Sequence, residues 1–367
     1  MAENAAPAMA DVQDSLFPDL PRPEEAPSAA PPPPAEAAAA KKKPPRTATV
    51  EPAPADPELV ELAAALPPNL RLGTSSWSYP GWANLVWDGE YAETVLSKNG
   101  LSALAKHPLF RTVSVDRNFY RALTASQYAR YAAMVPDDFR FMVKAPSLVT
   151  DATVRDESGR GMQANPVFLS SEIARQDFVL PALEGLGHRI GVLVFQLSPI
   201  PGHLLADQPA LLARIAAMLE SLPDITSTAP DAVIAVEVRD PQLLNPAFAD
   251  MLRSVRATFC MGLHAKMPPI EDQLPMLRAM WPGPLVCRWN LHRRHGRFGY
   301  EDAEKLYGPF DKIVDPDPET RAALAKVIAG TTRAGQNAFV TVSNNAEGCA
   351  PLTIAQLARD VLALAPR

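Results

Sequence analysis

Eight short apolar runs, each followed by a stretch of helical periodicity, occupy the chain from residue 70 to its end. The runs cover 70–75, 112–116, 140–145, 190–197, 232–238, 258–264, 284–290 and 338–343. Most are continuously apolar, as parallel strands buried on both faces must be. Between them lie stripes spaced for one face of a helix. One stripe is Tyr128, Tyr131, Ala132 and Val135; another is Leu211, Leu212, Ile215, Met218, Leu219 and Leu222. Further stripes run over 248–255, 274–281, 320–329 and 352–364. Eight strand–helix alternations in about 300 residues predict an α/β fold, a closed (β/α)8 TIM barrel. An open doubly wound sheet is the rival, but Gly73 and Gly81 do not form GxGxxG and no GxxxxGK[ST] occurs.

The first 57 residues are made of different material. They hold 14 of the 39 prolines, no isoleucine, no Trp or Tyr, and one aromatic residue, Phe17. Such a stretch buries too little apolar surface to offset chain entropy, so a disordered tail over 1–57 and one domain over 58–367 are expected. Polyproline II is expected at Pro31–Pro34, with a small basic cluster at Lys41, Lys42, Lys43 and Arg46. Asp56-Pro57 reads as N-cap and first helical position.

Charge and cysteine usage narrow the classes. The net charge of -6 argues against a protein that coats polyanions over its whole surface. Cys260, Cys287 and Cys349 show no CxxC spacing, which argues against a zinc ribbon and a disulfide scaffold. No run approaches a membrane span, no secretory h-region opens the chain, and a cytoplasmic location is expected.

Polar residues recur at the C-terminal ends of the predicted strands, largely on one parity, where barrel enzymes keep their chemistry. They are Ser75 and Trp77 on strand 1; Ser114, Asp116 and Asn118 on strand 2; Lys144 on strand 3; and Gln196 on strand 4. Glu237 and Arg239 follow on strand 5, His264 and Lys266 on strand 6, Arg288 and Asn290 on strand 7, and Asn344 on strand 8. Glu237 with Arg239 also reads as a structural ion pair, and His264 as a hydrogen-bonded rim histidine. After strand 7 come His292, Arg293, Arg294, His295 and Arg297, a basic loop suited to phosphate or carboxylate. The long polar loop over 151–166, with Gly159 and Gly161, reads as a lid.

Several short segments stand out together: Gly73-Thr74-Ser75-Ser76-Trp77-Ser78-Tyr79 with Trp82, Asn118-Phe119-Tyr120, and Phe139-Arg140-Phe141-Met142-Val143-Lys144. Phe195-Gln196-Leu197-Ser198-Pro199, Val236-Glu237-Val238-Arg239 and Ser343-Asn344-Asn345 with Gly348 complete the set. On these motifs the barrel region resembles the bacterial domain-of-unknown-function 72 family, the YecE-like proteins. The family is similar to xylose-isomerase and endonuclease-IV-type barrels. The resemblance implies a TIM barrel with its site at the strand C-termini, and no particular reaction. Members usually carry Glu-x-Asn where Ser114, Asp116 and Asn118 stand here, and Arg-x-His-Gly where Arg288-Trp289-Asn290-Leu291 stands.

Three functions remain open on these residues. The first is an enzyme acting on a phosphorylated or polyhydroxylated, sugar-like ligand. There Glu237 is general acid or base, Lys144 and Arg288 hold an anion, and Asp116 and Asn344 bind hydroxyls. Arg239, Asn290, His292, Arg294, Gln196, His264, Trp77 and Tyr120 would line the ligand, and a divalent metal on Glu237, Asp116 and His264 is a variant. The second is a nucleic-acid-associated protein with the basic loop on phosphates. Gln13-Asp14-Ser15-Leu16-Phe17 resembles the peptides that dock bacterial sliding clamps, with Gln13, Leu16 and Phe17 as anchors. The third is a non-catalytic ligand-binding barrel, its partner a small anionic or sugar-like ligand.

Overall fold

The computed structural model describes residues 49–155, 162–296 and 299–364. Eight parallel strands close into a barrel in sequence order: β1 (Leu70–Thr74), β2 (Phe110–Val115), β3 (Arg140–Lys144), β4 (Ile190–Gln196), β5 (Val233–Glu237), β6 (Thr258–Leu263), β7 (Leu285–Trp289) and β8 (Ala338–Val342). Closure is made by β1 on β8, in register from Leu70 with Ala338 to Thr74 with Val342. Each expected strand is present, with its ends displaced by at most two residues.

Alternation along the strands builds two cores. Met142, Val192, Val194, Ala235, Cys260, Val286 and Phe339 point inward and fill the barrel as a cluster of their own. The opposite parity, including Val113, Val143, Phe195, Val236, Met261 and Trp289, packs outward on the helices. Burying each large apolar side chain contributes about 1.5–3 kcal/mol. The inner cluster therefore plugs the barrel and leaves room for polar groups only at its two mouths. Gly73 permits a close approach on β1: a Cβ there would lie 1.8 Å from the Thr112 carbonyl oxygen.

The outer helices carry the stripes read from sequence, and several of their starts are capped by side chains. Asp207 accepts from the Ala210 amide to open Gln208–Glu220, which buries Leu211, Leu212, Ile215, Met218 and Leu219. Thr124 and Gln127 form a reciprocal capping box at Ala125–Ala132. Asp56 caps Pro57–Ala65 by accepting from the Glu58 amide. No stripe was read over Glu93–Asn99, Leu180–Leu186 or Gly299–Tyr307, which the structure also folds as helix.

Residues 50–53, assigned to the tail by composition, pack on the barrel. Val50 is buried, the Ala53 amide donates to the Val86 carbonyl at 2.9 Å, and the Asp88 amide donates to Glu51 at 3.1 Å. Backbone pairing, which composition does not report, secures this stretch. The Pro31–Pro34 run, the lysine cluster and the clamp-like peptide with Gln13, Leu16 and Phe17 lie outside the described residues. Among the described residues no helix is long and apolar enough to cross a membrane. All three cysteines are free and buried.

Candidate functional site

Above the inner apolar cluster, the inward parity changes chemistry at the C-terminal ends of β2, β3, β4, β5 and β7. Ser114, Lys144, Gln196, Glu237 and Arg288 are all buried there. Glu237 is fully enclosed, and both of its oxygens are occupied. Oε1 accepts from Arg239 at 2.8 Å and from Asn290 Nδ2 at 3.2 Å; Oε2 accepts from Arg288 Nη1 at 2.7 Å. Burial acts to raise this carboxyl, but the charges of Arg239 and Arg288 outweigh it and hold Glu237 below the usual carboxylate range. Gly262 on β6 makes the space: a Cβ there would stand 3.0 Å from Glu237 Oε1.

Arg288 continues across the mouth. Its Nη2 donates to both oxygens of Asp116 at 2.9 and 2.7 Å, and Ser114 Oγ donates to Asp116 Oδ1 at 2.6 Å. Gln196 Oε1 accepts from Arg239 at 3.0 Å and from Arg288 at 3.3 Å, so it spaces the two guanidiniums. Seven sequence-selected residues (Asp116, Gln196, Glu237, Arg239, Arg288, Asn290 and Ser114) thus form one connected network.

Lys144 stands beside this network without joining it. Its Nζ lies 3.3 Å from the centre of the Phe119 ring, and among the described residues no carboxylate comes within ion-pair distance. Burial, reinforced by the Arg288 and Arg239 charges and opposed by Asp116 and Glu237, lowers the ammonium to about 7. The face of Phe119 offsets part of that penalty when the amine is charged. Asn118 fixes the backbone beneath it, donating to the Lys144 carbonyl at 2.7 Å while accepting from the Leu123 amide at 2.9 Å.

His264 sits at the rim with its Nδ1 accepting from the Lys266 amide at 3.1 Å. That contact places the proton of the neutral ring on Nε2, which makes Nε2 a donor. Burial and the Arg239 charge lower His264 to about 3, so the ring is neutral at any physiological pH. Tyr300 packs against it with ring centres 5.4 Å apart. Tyr120 stands on Phe119 edge to face at 5.3 Å. Burial pushes both phenols upward, and Asp116 is among the charges acting on each.

Other sequence-selected residues serve elsewhere. Arg294 is paired with Asp315, and the His295–Tyr307 contact of 2.7 Å continues from Tyr307 to Asp315 at 2.7 Å. His292 Nδ1 accepts from the Arg294 amide, and its Nε2 faces Asp317 at 3.9 Å. The expected basic loop is thus matched by acids from the segment following Gly299–Tyr307; Arg297 lies outside the described residues. Asn344 Oδ1 accepts from Trp82 Nε1 at 3.2 Å and from the Ala350 amide at 2.8 Å, pinning the loops after β8 and β1 together. Trp77 donates to the Ser97 carbonyl and packs edge-on against Tyr131. The loop over 151–166 contributes a short hairpin, Thr153–Arg155 with Met162–Ala164; Gly159 and Gly161 lie outside the described residues.

Sequence reasoning missed Gly262, Phe119, Tyr300 and Asp151. Asp151 accepts from Ser198 Oγ, and burial raises its carboxyl while the Lys144 charge lowers it. Their signals were weak: Phe119 and Tyr300 only adjoin selected residues, and Gly262 acts through what it lacks. Among the described residues no group of three or more His, Cys, Asp or Glu side chains is placed to hold a metal ion. For the suggested set of Glu237, Asp116 and His264, Arg288 already bridges the two carboxylates, and a cation would have to displace it.

A closed eight-stranded parallel barrel with charged groups gathered at the strand C-termini defines a TIM-barrel protein with a candidate site at that mouth. The chain belongs to the family described as "Protein of unknown function DUF72", which matches residues 71–366. A DUF72 family protein from Enterococcus faecalis V583 is similar in structure, with a TM-score of 0.52 and 17% identity over 81% of this chain and 97% of that one. A DUF72 family protein from Thermotoga maritima MSB8 gives a TM-score of 0.48 and 18% identity over 79% and 98%. At 17% identity the first of these likenesses shows the fold alone. No curated protein matches the chain.

Proposed function

We propose that the barrel mouth binds a small anionic, oxygen-rich ligand, such as a phosphorylated or carboxylated sugar-like compound, through Lys144, Arg239 and His264. The observation that carries this reading is a surplus of buried donors. Among the described residues, Arg239 Nη1 is buried without an acceptor and the Lys144 amine has no carboxylate within ion-pair distance, while both oxygens of Glu237 and of Asp116 are already engaged. A buried donor without a partner costs about 1–3 kcal/mol, and an oxyanion removes that cost. Guanidinium geometry suits carboxylate or phosphate. The exposed edges of Tyr120 and Tyr300 add apolar surface at the rim. On this reading Glu237 is a positioning residue: enclosed and held ionised, it orients two guanidiniums instead of exchanging protons.

The nucleic-acid alternative draws less support, because Arg294 and His292 face Asp315 and Asp317. Calorimetric titration with inorganic phosphate, sugar phosphates, aldonates and single-stranded DNA tests both. Micromolar to millimolar binding of the small anions, weakened in Lys144→Met, is expected. No binding of any small anion at about 10 mM, where even a weak site would be filled, overturns the reading. Preference for DNA with a steep salt dependence would favour the alternative.

A further inference from the structure

The geometry points to Lys144 as a nucleophilic amine that condenses with the carbonyl carbon of a small oxo-anion held in this mouth, either a 2-oxo acid or an aldose phosphate. The inference rests on the anion-binding reading above, because Arg239 and His264 would hold the anionic end of the compound.

Four features bear on it. Lys144 ends β3 on the inward parity, and its backbone is held by Asn118, so the amine projects from a rigid base. Its lone pair is not committed: among the described residues no carboxylate lies within 4.0 Å of Nζ, whereas a lysine serving a structural ion pair would have one. Burial and two neighbouring guanidiniums leave a large fraction of the amine unprotonated at neutral pH. The proton carrier is assigned to Asp151, on the segment that follows β3, where its carboxyl is raised by burial and accepts from Ser198 Oγ.

The chemistry balances without any other reactant. The Nζ lone pair forms a bond to the carbonyl carbon, the C=O π pair moves to oxygen, that oxygen takes a proton from solvent, and the nitrogen sheds one to the Asp151 carboxylate. Asp151 then passes that proton to the carbinolamine hydroxyl, and the C–O bond breaks to release water. The nitrogen lone pair closes the C=N bond, and Asp151 is left as it began. The sum is carbonyl plus amine plus one proton, giving iminium plus water. The iminium charge would sit where the ammonium sits now, over the face of Phe119 and in the field of Asp116.

The test uses the full chain incubated with pyruvate, glyoxylate or glycolaldehyde phosphate in the presence of cyanoborohydride, followed by intact mass and peptide mapping. A single reduced adduct on Lys144 is expected. It should be absent from Lys144→Arg and Lys144→Met, each checked for folding by circular dichroism. The oxo-acid and sugar-phosphate arms distinguish the two sources of the carbonyl. No adduct from any probe, or labelling spread evenly over surface lysines, overturns the inference. Lactate and glycerol phosphate, which lack the carbonyl, are titrated in parallel. If they bind while no adduct forms, the imine fails and the anion site stands; if inorganic phosphate and all these anions fail to bind, the anion reading fails first.

Discussion

Arg288 and Asp116, 172 residues apart in the chain, meet across the barrel mouth: one guanidinium nitrogen donates to both carboxylate oxygens at 2.9 and 2.7 Å. The other terminal nitrogen reaches Glu237 at 2.7 Å. A single side chain on β7 thereby ties the ends of β2 and β5 together over the apolar plug. Any ligand entering the mouth meets a floor whose charges are already fixed in direction.

Removal of Glu237 should therefore cost stability first. Glu237→Gln leaves Arg239 and the enclosed Arg288 short of a counter-charge, and breaking a buried pair in this way costs about 3–5 kcal/mol. Asp116→Asn should cost less, because that side chain is 29% exposed and water can replace part of what is lost. Urea denaturation of both variants checks the order. A Glu237→Gln protein as stable as the parent would restore a chemical role for the carboxylate in place of a positioning one.

Gly262→Ala probes the same network from β6. Its added methyl would press on Glu237 Oε1 at 3.0 Å, and a fully buried carboxylate has little room to yield. Overpacking of this kind costs about 1–3 kcal/mol. The penalty should shrink when Glu237 is truncated to alanine, and a double-mutant cycle measures that coupling. A penalty unchanged in the Glu237→Ala background would place the clash on the backbone instead.

The barrel was legible because its signal is periodic. Burial on both faces writes runs such as 190–197 and 258–264, and the inward parity that selected Lys144, Gln196, Glu237 and Arg288 follows from strand geometry alone. Which of those groups face one another was not legible. Arg239 and Arg294 look equally suited to an anion in the sequence, yet Arg239 lies over Glu237 and Arg294 turns to Asp315. That choice depends on where acids from the segment after residue 310 return, a long-range contact with no local pattern. Gly262 was silent for a related reason: its contribution is the volume it leaves for a side chain on the neighbouring strand.

Two enclosed histidines give the protein an acid-sensitive window. Burial lowers His107, stacked on Phe110, to about 4, and burial with Arg239 lowers His264 to about 3. In the unfolded chain both protonate near pH 6.5, so below that value the unfolded state binds protons that the native state refuses. Stability is complete above about pH 6.5 and falls as the pH drops toward the native values. The Cε1–H resonances of His107 and His264 should stay flat between about pH 5 and 8. Titration of either near pH 6.5 would show that the ring is solvated.

Lys144 makes the opposite end of the pH range informative. Its ammonium is lowered to about 7 in the folded protein and returns to about 10.4 on unfolding. Between those values the unfolded chain holds a proton that the native state has released, so raising the pH favours folding. Below about 7 both states are protonated, and the native state bears the full cost of a buried ammonium with no carboxylate partner. Lys144→Met removes that cost. The variant should therefore exceed the parent in stability most at about pH 6, and the advantage should fade as the pH rises toward 10. Urea midpoints for the two proteins across that range measure the difference, and every other titrating group cancels in it to first order. An advantage that stays constant with pH, or grows, would mean that the folded protein keeps Lys144 charged, and a charged amine has no lone pair to offer a carbonyl.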